Sequence, residues 1–170
     1  MVTLGLDVST NTVGYAFTED KSILDMGFIN ISKQKTIKDK AYRVIEELDI
    51  NKHTDDIDRI VVEDSLSGFA GGMTRMQTII KLAKINAVMA FILEWKYQVT
   101  VELVNPNTVR KQVFGKARVK GMKAKDYVKQ KVEEMFNTEK WCTITTRGNW
   151  SKQNIDMYDA LVCSLYEAKD

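Results

Sequence analysis

Four carboxylates stand where their neighbours make them chemically interesting. Asp7 ends the apolar run Val2–Leu6 in "GLDVSTNT", Glu63 ends a second such run in "RIVVEDS", and Asp156 and Asp159 lie three residues apart in "NIDMYDALV". A strand apolar along its length belongs inside a sheet, so an acid at its carboxyl end sits at the sheet's edge. If the two runs are parallel neighbours, Asp7 and Glu63 emerge together, and alternation sends Asp64 the opposite way. Two such acids repel and lose hydration, and a cation between them relieves both effects. Oxygen donors from three or four acids suit magnesium or manganese. Each acid also has a plainer use. An Asp before Ser, Thr and Asn can start a turn, and Asp156 is a favourable charge in the first turn of a helix.

Other routes to catalysis are few. His53 is the single histidine and lies in "NKHTDDID", which reads as a solvated loop; Cys142 and Cys163 are the two cysteines. Without a CxxC or Cys/His cluster, neither a structural zinc site nor a histidine-activated nucleophile is expected, and the thiols are expected to be reduced.

The net charge of +2 hides an uneven distribution. From Asn105 to Lys152 twelve basic residues face four acidic ones, a net +8, and the stretch to Lys125 holds Arg110, Lys111, Lys116, Arg118, Lys120, Lys123 and Lys125 with no acid. A solvated lysine-rich surface and a polyanion site both fit this pattern. The lack of regular aromatic interleaving favours phosphate contacts over base stacking. Trp141 and Trp150 are read as anchors of the tail.

The elements that must position these residues follow from periodicity. Strands are predicted at Val2–Asp7, Thr12–Thr18 and "SILDMGFINI", then a helix over Thr36–Leu48, a strand at "DRIVVED" and a long helix from Met73 to Trp95. "QVTVELV" reads as a fifth strand. A short helix follows, capped by Asn107 or Thr108 and ending near Gly115, with further helices at Lys123–Phe136 and Ile155–Ala168. The 170 residues, 44% hydrophobic and 28% charged, suit one globular domain over 1–170. No secretory signal is visible, and Arg75, Lys81, Lys84 and Glu94 interrupt the longest apolar segment, so a cytoplasmic protein without a membrane span is expected. Three antiparallel strands followed by βαβ crossovers are the order of the ribonuclease H fold. The predicted class is therefore α/β, a mixed five-stranded sheet with helices on both faces.

With "GLDVSTNTVGYA", "IVVEDS", "VRKQVFG" and the terminal "DALV" after Asp156, the chain resembles the RuvC-type Holliday junction resolvases of the ribonuclease H-like superfamily. The resemblance implies that Asp7, Glu63, Asp156 and Asp159 are catalytic acids holding two magnesium ions, with manganese able to substitute. It implies that Arg110 and Lys125 approach DNA at the cleavage point, Lys125 neutralising charge on the phosphate. With the acid site, the basic patch from Arg110 to Lys131, Lys111, Lys116, Arg118, Lys120 and Lys123 included, is expected to bind the DNA backbone. The partner implied is branched DNA, chiefly four-way junctions, cut by a homodimer in paired nicks with no small-molecule cofactor. Phe69, in the glycine-rich loop "DSLSGFAGGM", is a candidate wedge at the branch point or an anchor on the core. The chain departs from the family in Val8-Ser9, where Pro-Gly is common, and in Arg110, where a lysine is usual. Flaps, forks and RNA–DNA hybrids are alternative substrates. A sugar-kinase or actin-like domain would need two lobes, and a noncatalytic DNA-binding module would bind no metal.

Overall fold

The computed structural model describes residues 1–64 and 73–168. In chain order it comprises β1 (Val2–Val8), β2 (Thr12–Glu19), β3 (Ser22–Asn30), α1 (Ile37–Asp49), β4 (Ile57–Glu63), α2 (Met73–Tyr97), β5 (Val101–Val104), α3 (Pro106–Phe114), α4 (Ala124–Met135) and α5 (Asn154–Ser164). The sheet order is β3-β2-β1-β4-β5. The first three strands pair antiparallel, whereas β1 with β4 and β4 with β5 pair parallel. The mixed five-stranded sheet expected from the sequence is the one that forms, and its central strand is the one ending near Asp7.

Alternation along the strands divides the core in two. Leu4 and Leu6 of β1 and Ile60 and Val62 of β4 pack with Val44 and Leu48 of α1 and Ile85, Met89 and Leu93 of α2. Ala16, Met26 and Val61 face the opposite layer, formed by Val109 of α3, Val128 and Val132 of α4, and Met157, Tyr158 and Leu161 of α5. Helices therefore cover both faces. With a period of two, Asp7 shares Gly5's side of β1 and Glu63 shares Val61's side of β4, which is the side of α5.

Glycine sets how closely α5 approaches. A Cβ added at Gly5 would lie 2.1 Å from the Ala160 carbonyl oxygen, and one at Gly14 2.0 Å from that of Asp156. Backbone thus meets backbone, and any side chain at these two positions would hold the helix off the sheet.

Three boundaries differ from the sequence reading. The cap of α3 is Asn105, whose Oδ1 accepts from the N–H groups of Asn107 (2.9 Å) and Thr108 (3.4 Å) while Pro106 takes the first helical position. Helix α2 continues through Tyr97 and ends at Gln98 with φ of 55°, so β5 starts at Val101, later than predicted. Helix α5 stops at Ser164, short of Ala168. By length and composition Met76–Tyr97 is apolar enough to cross a membrane; in the fold, Ile85, Met89 and Leu93 are buried against the sheet.

Candidate active site

Pairing of Leu6 with Val62 places Asp7 and Glu63 side by side at the carboxyl edge of β1 and β4. The main chain of Glu63 is held from α2, where Asn86 Nδ2 donates to its carbonyl at 3.1 Å, and the ladder runs one step further through Asp64 N–H to the Val104 carbonyl at 2.8 Å. The turn after β1 belongs to Ser9, whose Oγ accepts from the N–H groups of Thr12 (3.0 Å) and Asn11 (3.4 Å). Ser9 thus fills the turn-forming role that the sequence left open for Asp7. Lys40 of α1 braces the same turn from below, its buried Nζ donating to the carbonyls of Thr10 (2.7 Å) and Ile31 (2.6 Å).

Helix α5 brings Asp156 and Asp159 to this edge with side chains 16% and 6% exposed. Burial, then the charges of Glu63, Asp159 and Asp156, hold the Asp7 carboxyl well above the usual carboxylate range. Burial, with Asp159 next, pushes Glu63 up to about 7. Asp156 and Asp159 are likewise raised by burial, against the pull of Lys125 and Arg110 respectively. Two cations enter the cluster among the described residues. Arg110 Nη2 lies 3.0 Å from Asp159 Oδ1 and 3.8 Å from Glu63 Oε2, and Lys125 Nζ lies 3.6 Å from Asp156 Oδ1. Cys163, buried in the next turn of α5, has its thiol raised by burial and then by Glu63, Asp7 and Asp159, so it contributes a neutral thiol.

The donor set is one of hard oxygens with excess negative charge, which fits a magnesium-like ion. As placed, no three of the described acidic, histidine or cysteine groups form a ready coordination sphere. Asp159 is engaged by Arg110 and Asp156 by Lys125.

Of the residues predicted to meet DNA, Lys111, Lys116, Arg118, Lys120, Lys123 and Lys125 are exposed along the end of α3, the connection after it and the start of α4. Arg110 turns inward instead, 9% exposed, because the face of α3 that carries Val109 and Arg110 packs toward α5. Phe69 lies outside the described residues. Several positioning residues escaped the sequence reading. Lys40 had a visible signal, since 37, 40, 44 and 48 follow a helical stripe whose other members are apolar. Gly5, Gly14 and Asn86 carried none, because their partners are remote in the chain.

A pH dependence of opposite sign to the common acid-denaturation pattern follows. Glu63 moves from an ordinary 4.5 to about 7 on folding. Between those values the folded chain holds a proton that the unfolded chain has released, so stability falls as pH rises. In chelator, urea unfolding is expected to show a loss approaching about 3 kcal/mol from Glu63 between pH 5 and 8. Added magnesium should reverse this loss at pH 8. A stability profile that rises over the same range would contradict the cluster's electrostatics.

The topology and the acid-lined edge define a ribonuclease H-like α/β fold. Within that class the chain has the RuvC fold. Against Thermus thermophilus RuvC the TM-score is 0.58 at 15% identity, covering 97% of this chain and 92% of that one. Against T. thermophilus RuvC in complex with Holliday junction substrate it is 0.63 at 15% identity, covering 97% and 91%. The yeast mitochondrial Holliday junction resolvase Ydc2 gives 0.55 at 14% identity over 95% and 75%. No protein-family model and no curated protein matches the sequence.

Proposed function

We propose that the chain is a magnesium-dependent endonuclease that resolves four-way DNA junctions by paired nicks. The observation that carries this reading is the convergence of Asp7, Glu63, Asp156 and Asp159 on one sheet edge, in a fold that spans nearly all of the RuvC chain. Two divalent ions held by these four acids, magnesium or manganese, would activate the attacking water and offset charge on the phosphate. Hydrolysis forms one O–P bond and breaks the bond to the 3′-oxygen, leaving a 5′-phosphate and a 3′-hydroxyl. The side chains around the acids orient and neutralise. Lys125, 64% exposed and 3.6 Å from Asp156, can reach a phosphate oxygen as a mobile point charge. Arg110 holds Asp159 and Glu63 from within. The exposed lysines after α3 would track the backbone.

Paired nicks need two sites, and a homodimer supplies them. Its support is a stripe on α2, where Met76, Ile80, Phe91 and Trp95 are 52%, 47%, 68% and 67% exposed on one face. Sedimentation should show a dimer in the wild type and monomers in Phe91→Glu; dimers in that variant would place the interface elsewhere.

The test of function is nicking of a synthetic four-way junction, with and without magnesium, by the wild type and by Asp7→Asn. Fork, flap, duplex and hybrid substrates at the same salt are compared with it. Cutting that needs no divalent ion, or that prefers plain duplex, would sink the reading.

A further inference from the structure

Beside the acids lies a cavity of about 440 Å³ that the sequence reading did not anticipate. Lys125 and Lys129 of α4, Lys152, Trp150 and the metal-site acid Asp156 line it. We infer that this cavity binds one unpaired nucleotide of the DNA strand next to the scissile phosphate, with its base on Trp150 and its phosphate on Lys129 and Lys152. The inference rests on the nuclease reading and adds a base-holding subsite to it.

Trp150 is held in register with the catalytic helix. Thr145 N–H donates to the Asn149 carbonyl (2.7 Å) and Ser151 N–H to the Thr143 carbonyl (3.0 Å), closing a small hairpin that presents the indole. Asn154, fully buried at the start of α5, clasps that hairpin. Its Oδ1 accepts from Thr143 N–H (3.0 Å) and Oγ1 (2.9 Å), and its Nδ2 donates to the Thr143 carbonyl (2.9 Å). Asp156 follows two residues later, so indole and carboxylate are carried on one rigid unit.

The ring also has a usable surface. Lys129 Nζ lies over the ring, 4.3 Å from its centroid, so a π face, rather than an edge, is turned toward Lys129. A base stacking there replaces a flexible, 39% exposed side chain whose ammonium lies 3.9 Å from Glu133 Oε1, and the displaced ammonium exchanges that exposed ion pair for the phosphate. The opposite direction is closed to DNA. Trp150 also borders a larger cavity of about 860 Å³, but Glu133, Glu134 and Glu139 line that one and would repel a strand. At about 440 Å³ the lysine-lined cavity falls within the ~300–1,000 Å³ of small-ligand sites. Asp126 and Asp156 are the acids in its wall, and Asp156 is offset by Lys125.

The test uses the full chain with a labelled four-way junction in chelator, so that binding is read without cleavage. Trp150→Ala is expected to weaken binding roughly tenfold with the salt slope unchanged, whereas Trp150→Phe keeps most of the affinity. Lys152→Gln should weaken binding a few-fold and flatten the slope of log affinity against log salt by about 0.7, the value per phosphate of an unpaired strand. Because Trp150 packs 5.8 Å from Tyr158, loss of the indole can disturb the core, so occupancy is also read without removing it. With Trp95 and Trp141 replaced by Phe, emission reports Trp150 alone, and saturating junction should quench it. A wild type that binds no branched DNA overturns the nuclease reading and this site together. A wild type that binds, with unquenched Trp150 emission and full affinity in Trp150→Ala and Lys152→Gln, overturns the site alone.

Discussion

Asp7→Asn is expected to cut the rate of junction nicking by at least about 10³-fold while binding of the junction is retained. Divalent ions in phosphoryl-transfer sites generally supply several kcal/mol of charge stabilisation, and about 1.4 kcal/mol corresponds to tenfold in rate. Asparagine keeps the shape of Asp7 but removes the charge on which Glu63, Asp156 and Asp159 act. The same change should stabilise the protein in chelator at pH 8 by roughly 1–3 kcal/mol, because it removes a carboxyl whose charged form is disfavoured first by burial and then by the neighbouring acids. Loss of activity accompanied by a gain in stability distinguishes a functional acid from a structural one. Single-turnover nicking and urea unfolding of the same preparation read both effects. Wild-type cleavage by Asp7→Asn would remove the four-acid site from consideration, and reduced stability would mean that Asp7 has a structural partner.

Gly14→Ala should be nearly as damaging although residue 14 touches no substrate. Its new Cβ would lie 2.0 Å from the Asp156 carbonyl oxygen and 2.7 Å from the Met157 nitrogen, both main-chain atoms. The helix must retreat by more than about 1 Å to reach ordinary contact, and misplacement on that scale costs about 10²-fold in rate. Overpacking of this kind destabilises by about 1–3 kcal/mol, and a main-chain obstacle puts this case at the upper end. Gly27→Ala serves as the control. Its Cβ meets the Tyr15 ring, nearest at Oη, 2.8 Å away, a side chain that can swing aside, and β3 carries none of the four acids. Activity and thermal unfolding of the two alanine variants should therefore diverge. Equal activity would mean that α5 tolerates displacement and that Asp156 and Asp159 need not be held closely.

Some features were legible in the sequence because they are local. Apolar runs ending on Asp7 and Glu63 mark buried strands with acids at their ends. Asp156 and Asp159 fall on one side of a helix by its period, and the alternation that separates Glu63 from Asp64 agrees with Val61 and Val62 facing opposite layers. Boundaries were less legible. The cap of α3 was placed two or three residues late because an Asn before Pro and an Asn after it are both good caps, and the choice depends on which residue has extended backbone.

By itself the sequence determined the fold class, the strand order's starting meander and which strand ends and helix carry the four acids, since periodicity and strand termination are properties of neighbouring residues. Tertiary structure alone decided what those acids face. It set the β1–β4 register that brings Asp7 beside Glu63, the glycine contacts that seat α5, and the inward turn of Arg110 onto Asp159. It also placed Trp150 among Lys125, Lys129 and Lys152, although the linear pattern showed no aromatic interleaved with the basic stretch. These are contacts between segments distant in the chain. They are fixed by which faces must be buried together, and no local pattern records them.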